Sequence, residues 1–375
     1  MSLSSDSALR ANAGAFVGYL FFGPSREMDL RSESTDREML EQVEAVTQHA
    51  RMELNLVNDG TPPAPDPHGE TVCRHFLTSE DGSCQLLHQR MQTYEVFVLQ
   101  IGLTPGTNEQ EVTWTEAQAK FDNFYAPLQE LLQPILKARI EVLVGIGPGS
   151  ETIRRAREVV DLTIRPRAEL LCGTLYRDIN ALKFILAVEP EKVGSAEEFL
   201  SIEMLSGGLA YCRGMSAVAD FKAWRQPLDL FLDQVEERIN RALHLLSTAD
   251  RPSDLNQILK QAVLDGHRQS MTHRRLLWLR DRIEVARQRM RFAWSMAFLI
   301  DRGIATGLEA ELAEWAIAVD SRLEQLNAQI DRMGHLFQAL ALRAQLDAAA
   351  QRNAVPSPSP FGTGPEVLAP PHPAE

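Results

Sequence analysis

The side chains best suited to chemistry lie in the first half of the chain, on two predicted strands that form a hairpin. Cys73 and His75 fall on the first strand, and Cys84 and His88 fall on the second. Alternate residues of a strand share a face, so such a hairpin can bring thiol and imidazole groups, both ligands of zinc, close together. The spacing matches no metal-binding motif. We therefore expect packed or exposed side chains here, and we assign no metal-binding residues.

A second stretch, from Gly145 to Ser150, joins a predicted strand to a predicted helix through three glycines. Such a turn can present backbone N–H groups to a phosphate. It lacks the full G-x-G-x-x-G spacing and the P-loop lysine, Pro148 removes one donor, and Glu151 would repel an anion. An ordinary strand-to-helix turn is favoured. A nucleotide- or metal-dependent enzyme or ligand-binding protein that uses this turn remains an alternative function.

No other stretch predicts catalysis, so we assign no catalytic or cofactor-binding residues and expect no cofactor. The formal net charge of −13 and the pI of about 5.3 argue against a nucleic-acid partner. The four cysteines are widely spaced, which is typical of reduced thiols in a cytosolic protein. The N-terminus does not resemble a signal peptide, and no apolar run approaches the roughly 18 residues of a membrane span. We expect a cytoplasmic protein.

The elements that must position these side chains belong to a predicted α+β region. A first unit, residues 1–136, contains strands at 15–22 and 94–103, a hairpin turn at Asp81-Gly82, and helices at 36–56 and 113–136. A second unit, residues 137–250, repeats this order with strands at 140–146, 168–176 and 181–189. Its Ser206-Gly207-Gly208 sequence predicts a turn, and a helix follows from Leu228. We expect two diverged α+β units, for which a ferredoxin-like arrangement is one option.

The third region, residues 251–350, is predicted to be all α-helical. A helix capped by Ser253 runs to about Gly266, and apolar residues then recur three and four apart over 276–300 and again over 308–340. This alternation predicts a long antiparallel coiled-coil hairpin. Residues 351–375 are proline-rich and predict a disordered tail. The apolar positions that we expect to make the helix contacts are Leu276, Leu279, Ile283, Met290, Trp294, Trp315, Leu326, Ile330 and Phe337.

Charge supports the pairing of these two helices. Residues 267–291 carry eight arginines and two acidic residues, whereas residues 309–331 carry six acidic residues and one arginine. Opposite charges beside an apolar seam favour one partner and one orientation. The arginines lie on several faces, so a solvated surface matched to the acidic helix is favoured. A peripheral membrane protein that uses the arginine-rich helix is a further alternative, although we consider membrane binding the weaker interpretation.

Two stretches resemble the caspase- and TPR-repeat-associated (CATRA) family of bacterial conflict systems. They are residues 274–290 (RRLLWLRDRIEVARQRM) and 320–340 (DSRLEQLNAQIDRMGHLFQAL). Members of that family are similar in layout, with an N-terminal α+β region followed by paired long helices. The resemblance covers about residues 14–345, and the two stretches that show it are coiled-coil-like. It implies a non-enzymatic component that works beside a caspase-like protease or a TPR protein in bacterial immunity.

Together these observations predict an adaptor or sensor scaffold that acts through protein–protein contacts. The α+β units would recognise a partner or signal, and the helices would transmit or scaffold through packing. The partner would be a caspase-like protease, a TPR protein or a second copy of the chain joined through the helices. The sequence leaves open whether the hairpin closes within one chain or between chains.

Overall fold

A computed structural model describes residues 14–23, 33–59, 71–91, 93–103, 113–133, 135–157, 167–178, 182–248, 252–295 and 303–354. The predicted tail at 355–375 lies outside these residues. The chain divides into two compact units. The larger unit comprises residues 1–224 and 277–320, and the smaller unit comprises residues 225–276 and 321–375.

One nine-stranded sheet forms the centre of the larger unit. All nine residues of the strand β1 are buried, as expected for an apolar run covered on both faces. The strand order across the sheet is β2-β3-β4-β5-β1-β6-β9-β8-β7. The strands are β1 (Gly14–Phe22), β2 (Leu56–Asp59), β3 (Thr71–Ser79), β4 (Cys84–Met91), β5 (Tyr94–Leu103), β6 (Leu136–Ile146), β7 (Arg167–Leu170), β8 (Gly173–Arg177) and β9 (Lys183–Val188).

The predicted boundary at residue 136/137 falls at the start of β6, and both predicted units contribute to this one sheet. β1 and β6 pair antiparallel at its centre. In each half the first strand neighbours the last strand, but β1 and β5 are antiparallel whereas β6 and β9 are parallel. The first half has one more strand than the second half, β2. In a series of antiparallel strands each added strand reverses the direction of the final strand, so β5 and β9 run in different directions relative to the first strand of their half. Neither half has the β-α-β-β-α-β order of a ferredoxin-like unit.

Helices cover one face of the sheet and enclose its main core. Val43, Val46 and Ala50 on one helix pack with Phe121 and Phe124 on another, over strand residues such as Leu20 and Phe97. Thr113 caps the second of these helices through a reciprocal capping box with Glu116. The helices before the last strand are α1 (Glu33–Glu53), α2 (Trp114–Tyr125), α3 (Gln129–Leu132) and α4 (Gly149–Ala156).

The other face of the sheet is covered by the start of a 45-residue helix, α6 (Met204–Thr248), which follows the short α5 (Val193–Glu198) and a π-helical turn at Phe199–Glu203. The prediction of a turn at Ser206-Gly207-Gly208 is wrong, because these residues lie inside α6. A Cβ on Gly208 would lie 2.9 Å from Ile140 Cδ1 and 3.0 Å from Phe21 Cζ. The glycine therefore allows the helix to approach the sheet closely.

Two further long helices complete the chain, α7 (Pro252–Ser295) and α8 (Gly303–Ala354). The predicted break near Gly266 is wrong, since α7 runs through it; one glycine in a helix interior costs only about 1 kcal/mol, which packing readily offsets. Within the larger unit α7 and α8 run antiparallel, with Arg280 Nε 2.8 Å from Asp320 Oδ1 and Arg287 beside Glu309. The α+β sheet region followed by an all-α region confirms the predicted fold class.

The apolar seam between α7 and α8 is formed within one chain, and a third helix, α6, packs against it. In the smaller unit, Val235 and Ile239 of α6 form one buried cluster with residues of the other two helices. Those residues are Ile258, Ala262, Met333, Leu336 and Leu340. In the larger unit the Tyr211 hydroxyl of α6 donates to Glu311 Oε2 of α8 at 2.9 Å. The arrangement is therefore three-helix packing rather than a two-helix hairpin.

Gly214 lies where α6 meets both other helices in the larger unit. A Cβ there would lie 2.8 Å from Leu312 Cδ2 and 3.0 Å from Ala286 Cβ. We expect Gly214→Val to force the helices apart and lower the free energy of unfolding by about 1–3 kcal/mol, as overpacked cores do. Urea denaturation followed by circular dichroism measures the loss. Gly334→Ala is the matched control, because nothing lies within 4 Å of its Cβ position. The control should be neutral or slightly stabilising; equal stability of both variants would contradict this packing.

Candidate functional site

Five of the predicted interaction residues of the seam face the interior of the protein. Leu276, Leu279, Ile283, Met290 and Leu326 are buried. Trp315, Ile330 and Phe337 are only partly buried. Trp294 lies on α7, and its side chain is outside the described residues. The buried members are covered by this chain, so a partner would have to contact other residues.

The buried face of α8 is shifted from the predicted one. Ala316, Gln329 and Leu336 are buried next to Trp315, Ile330 and Phe337, respectively. Gln329 Nε2 donates to the Leu232 carbonyl of α6 at 2.8 Å. A helix that packs against two neighbours buries a wider face than a two-helix seam, and that face includes residues beside the heptad positions.

Exposed large apolar side chains are concentrated on the helices of the smaller unit. Among the described residues, this unit carries nine of 17 such side chains. Several share a helix face, for example Leu264 and Met271, two turns apart and 55% and 56% exposed. We call the nine the exposed helical set: Leu230, Leu243, Leu245, Leu259, Val263, Leu264, Met271, Leu342 and Leu346. Single exposed leucines are ordinary, but exposed apolar side chains that share a helix face, as Leu264 and Met271 do, are typical of protein-binding surfaces.

The smaller unit also contains a cavity of about 490 Å³ between its helices. Its apolar lining includes Ile239, Ile258 and Met333, and Leu245 of the exposed helical set borders it. Asp265, only 1% exposed, accepts from Arg238 Nε at 2.8 Å in the same wall. An apolar recess with a polar wall is suited to receive an anchoring side chain of a partner.

Part of the arginine-rich face of α7 is paired with groups of the larger unit. Arg280 pairs with Asp320, and both Arg287 and Arg291 pair with Glu309. Arg282 stacks over the Trp278 ring at 4.8 Å, and burial lowers its pKa to about 10. The three ion pairs neutralise part of the positive charge that a membrane surface would otherwise attract.

In the sheet, the predicted histidine hairpin forms around a buried carboxylate. His75 and His88 are paired across β3 and β4, with ring centroids 5.6 Å apart, and His88 stacks on Phe97 at 4.3 Å. Glu95 is fully buried and lies 3.0 Å from His88 Nε2. Arg74 donates to both Glu95 oxygens, with Nε at 3.2 and 3.1 Å from Oε1 and Oε2, respectively.

Glu95 is not among the residues predicted to do chemistry, although the sequence carries a signal for it: it is the one charged residue in the apolar run YEVFVLQIGL. Burial alone would raise the pKa of Glu95, but hydrogen bonds from His88 and Arg74 and the charge of Arg74 outweigh it and lower the pKa. Burial lowers the pKa of His88, and the hydrogen bond and charge of Glu95 oppose that shift only in part. The pair is thus a carboxylate that accepts from a neutral imidazole.

The cysteines do not complete a reactive or metal-binding group. All four are free, and Cys84, Cys172 and Cys212 are buried. Burial raises the pKa of Cys84 and of Cys172 to about 12, so their thiols stay protonated and unreactive. Among the described residues, no three His, Cys, Asp or Glu side chains are arranged to hold a metal ion.

At the glycine turn between β6 and α4, backbone N–H groups form hydrogen bonds within the chain. Gly147 N–H donates to the Val188 carbonyl at 3.0 Å, and the N–H groups of Glu151 and Thr152 donate to the Pro148 carbonyl. Gly147 has φ +137°, a conformation that favours glycine. The geometry is that of a strand-to-helix turn in which the Gly147 amide is already engaged.

Within the segments described above, no helix combines the length and apolar character that crossing a bilayer requires. No family model, curated protein or solved structure matches the chain.

Proposed function

We propose that this protein is a non-enzymatic adaptor or sensor that binds a protein partner through the helices of its smaller unit. The exposed helical set is the observation that supports this proposal. It leaves large apolar side chains in water, although the buried seam already stabilises the fold. The nearby cavity with its Asp265–Arg238 pair offers a recess for an anchoring side chain. An amphipathic helix of the partner is the ligand chemistry that suits such a surface.

We further propose that the partner is a caspase-like protease or a TPR protein of a bacterial conflict system, and that the protein acts in the cytoplasm. This part rests on the resemblance of residues 274–290 and 320–340 to the CATRA family. TPR proteins consist of stacked helix pairs, and one of those helices could supply the amphipathic ligand. The turn from Gly145 to Ser150 gives the enzyme alternative little support, since Gly147 N–H already donates to the Val188 carbonyl and Pro148 has no N–H to offer.

The test uses the full chain co-expressed with a caspase-like or TPR protein taken from its native host. We expect a stable complex by size-exclusion chromatography with light scattering. The double variant Leu264→Asp/Met271→Asp places two charges in the contact, and we expect it to weaken binding at least about 30-fold, as loss of a hot spot does. Ser270→Asp is the matched control, since it adds the same charge to an exposed polar position of the same helix.

Two outcomes would contradict the proposal. One is a complex that survives the double variant as well as it survives Ser270→Asp. The other is a wild-type homodimer that the double variant converts to a monomer while no partner binds, because the surface would then join two copies of this chain. Circular dichroism of each variant checks that the helices are intact.

A further inference from the structure

Leu264 and Met271, which share a face of α7, point away from the packed side of that helix. Ala262 is 4% exposed and belongs to the buried cluster of the smaller unit. Leu264 and Met271 follow it by two and nine residues. At about 100° per residue, they lie roughly 160° and 180° around the helix from Ala262. Their face is therefore turned to solvent, and the side chains beside them decide what can bind there.

Three basic side chains flank this apolar pair. Lys260 and Arg268 lie four residues before and after Leu264. Arg274 lies three residues after Met271. Side chains three or four residues apart are neighbours on a helix surface. All three cations are exposed, and within the described part of the chain none has an ion-pair or hydrogen-bond partner. We call these five residues the basic-apolar face.

The acidic residues of the smaller unit lie elsewhere or are already paired. On α7, the one acidic residue between positions 256 and 276 is Asp265, which is 1% exposed and accepts from Arg238. Both α6 and α8 contribute residues to the buried cluster around Ala262, so they pack on the other side of α7. Three acidic residues of α6 are paired with arginines: Asp229, Glu236 and Glu237. The basic-apolar face therefore keeps its positive charge.

We propose that the partner segment that docks on the basic-apolar face is an acidic amphipathic helix. Its apolar side chains would pack on Leu264 and Met271, and its carboxylates would pair with Lys260, Arg268 and Arg274. Opposite charges beside an apolar contact select one partner and suppress others. This inference rests on the proposed function and adds to it the charge of the partner.

Two observations favour an acidic helix over an anionic membrane surface. Helices that lie in a membrane interface separate an apolar face from a charged face, whereas apolar and basic side chains alternate along one face of α7. The chain also has a formal net charge of −13, which an anionic bilayer would repel. A single helix covers only the local positive face, since charges beyond about 8 Å are largely screened at physiological salt.

The experiment titrates the full chain with three synthetic amphipathic peptides of about 18 residues and measures affinity by calorimetry. Such a helix is about 27 Å long, enough to span the roughly 21 Å from Lys260 to Arg274. The peptides share one stripe of leucines and carry glutamate, glutamine or lysine beside it. We expect the glutamate peptide to bind at least about tenfold more tightly than the glutamine peptide, and the lysine peptide to bind most weakly. Raising the salt from about 0.1 to 1 M should remove most of this preference, because the Debye length falls from about 10 to 3 Å.

The triple variant Lys260→Gln/Arg268→Gln/Arg274→Gln should bind the glutamate and glutamine peptides about equally. All three positions are exposed, so the variant should fold. Its matched control removes one lysine and two arginines from exposed positions of the larger unit and should keep the preference. That control is Lys120→Gln/Arg154→Gln/Arg157→Gln.

The double variant Leu264→Ala/Met271→Ala separates this inference from the proposed function. It adds no charge, and we expect it to weaken all three peptides about tenfold while the order of their affinities stays the same. If the wild type bound all three peptides equally and the double variant weakened them, the apolar docking surface would stand and the acidic partner would be overturned. If the glutamate preference held but the double variant bound as the wild type does, the apolar contact of the proposed function would fail and the charge recognition would stand.

Three further outcomes would overturn the acidic partner. The first is a wild-type chain that does not bind the glutamate peptide. The second is a triple variant that keeps the glutamate preference of its control. The third is a chain that sediments with vesicles of phosphatidylglycerol and phosphatidylcholine and loses this binding in the triple variant, because the face would then contact a membrane. Circular dichroism checks that each variant retains its helices.

Discussion

Replacing Ile283 by aspartate is expected to melt the helical packing of the larger unit. Ile283 is fully buried on α7, one turn from Ala286, which packs against α6 beside Leu312. A carboxylate there would be buried without a partner, and such a change costs roughly 3–5 kcal/mol or more. Whole domains are stable by only about 5–15 kcal/mol. We expect a fall in the melting temperature of about 10 °C or more, with loss of helicity, measured by circular dichroism.

Val285→Asp is the matched control for this prediction. It introduces the same charge two residues away on the same helix, at a side chain that is 37% exposed. We expect a change in stability of about 0.5 kcal/mol or less, typical of surface positions. If Ile283→Asp kept the helicity and melting temperature of Val285→Asp, the seam would not be a packed core and the three-helix arrangement would be refuted.

The periodicity of α7 and α8 could be predicted because both helices bury a repeating apolar stripe. Leu276, Leu279, Ile283 and Met290 are buried as their spacing indicates. The third helix could not be predicted to the same extent. The first half of α6 is buried on several faces between the sheet and the other helices, so it shows no polar face, and its glycines read as a turn. The low helix propensity of Gly208 is overridden by tertiary packing, because the helix approaches Ile140 and Phe21 closely there.

The strands were predictable because their signal is a local apolar run, whereas the pairing of distant elements has no local signal. β5 matches its predicted bounds, Tyr94–Leu103, because a strand covered on both faces is a continuous apolar run. The pairing of β1 with β6 joins segments more than 100 residues apart, and local patterns carry no information about such a contact. Likewise, the spacing placed His75 and His88 on neighbouring strands, but the Glu95–Arg74 contact depends on the register of three strands and on a bulge in β3.

Removing the Glu95 carboxylate is expected to destabilise the sheet region strongly. Glu95→Ala would leave His88 Nε2–H without its acceptor and Arg74 without its counter-charge, both next to the core. Removing one partner of a buried ion pair typically costs about 3–5 kcal/mol. Because Arg74 is 31% exposed and can turn toward water, we expect the lower end, about 3 kcal/mol. Urea denaturation at neutral pH measures the loss.

Glu44→Ala is the control, because it removes a carboxylate that is 52% exposed from the same cluster and should change stability by about 0.5 kcal/mol or less. The pH dependence gives an independent check. The pKa of Glu95 is lowered from its ordinary value of 4.5, so its stabilisation is present above that pH and is lost as the pH falls through the folded-state pKa. The stability gap between wild type and Glu95→Ala should therefore be constant near neutrality and shrink in acid. A gap that stayed constant into acid would mean that the carboxylate acts through packing and not through its charge.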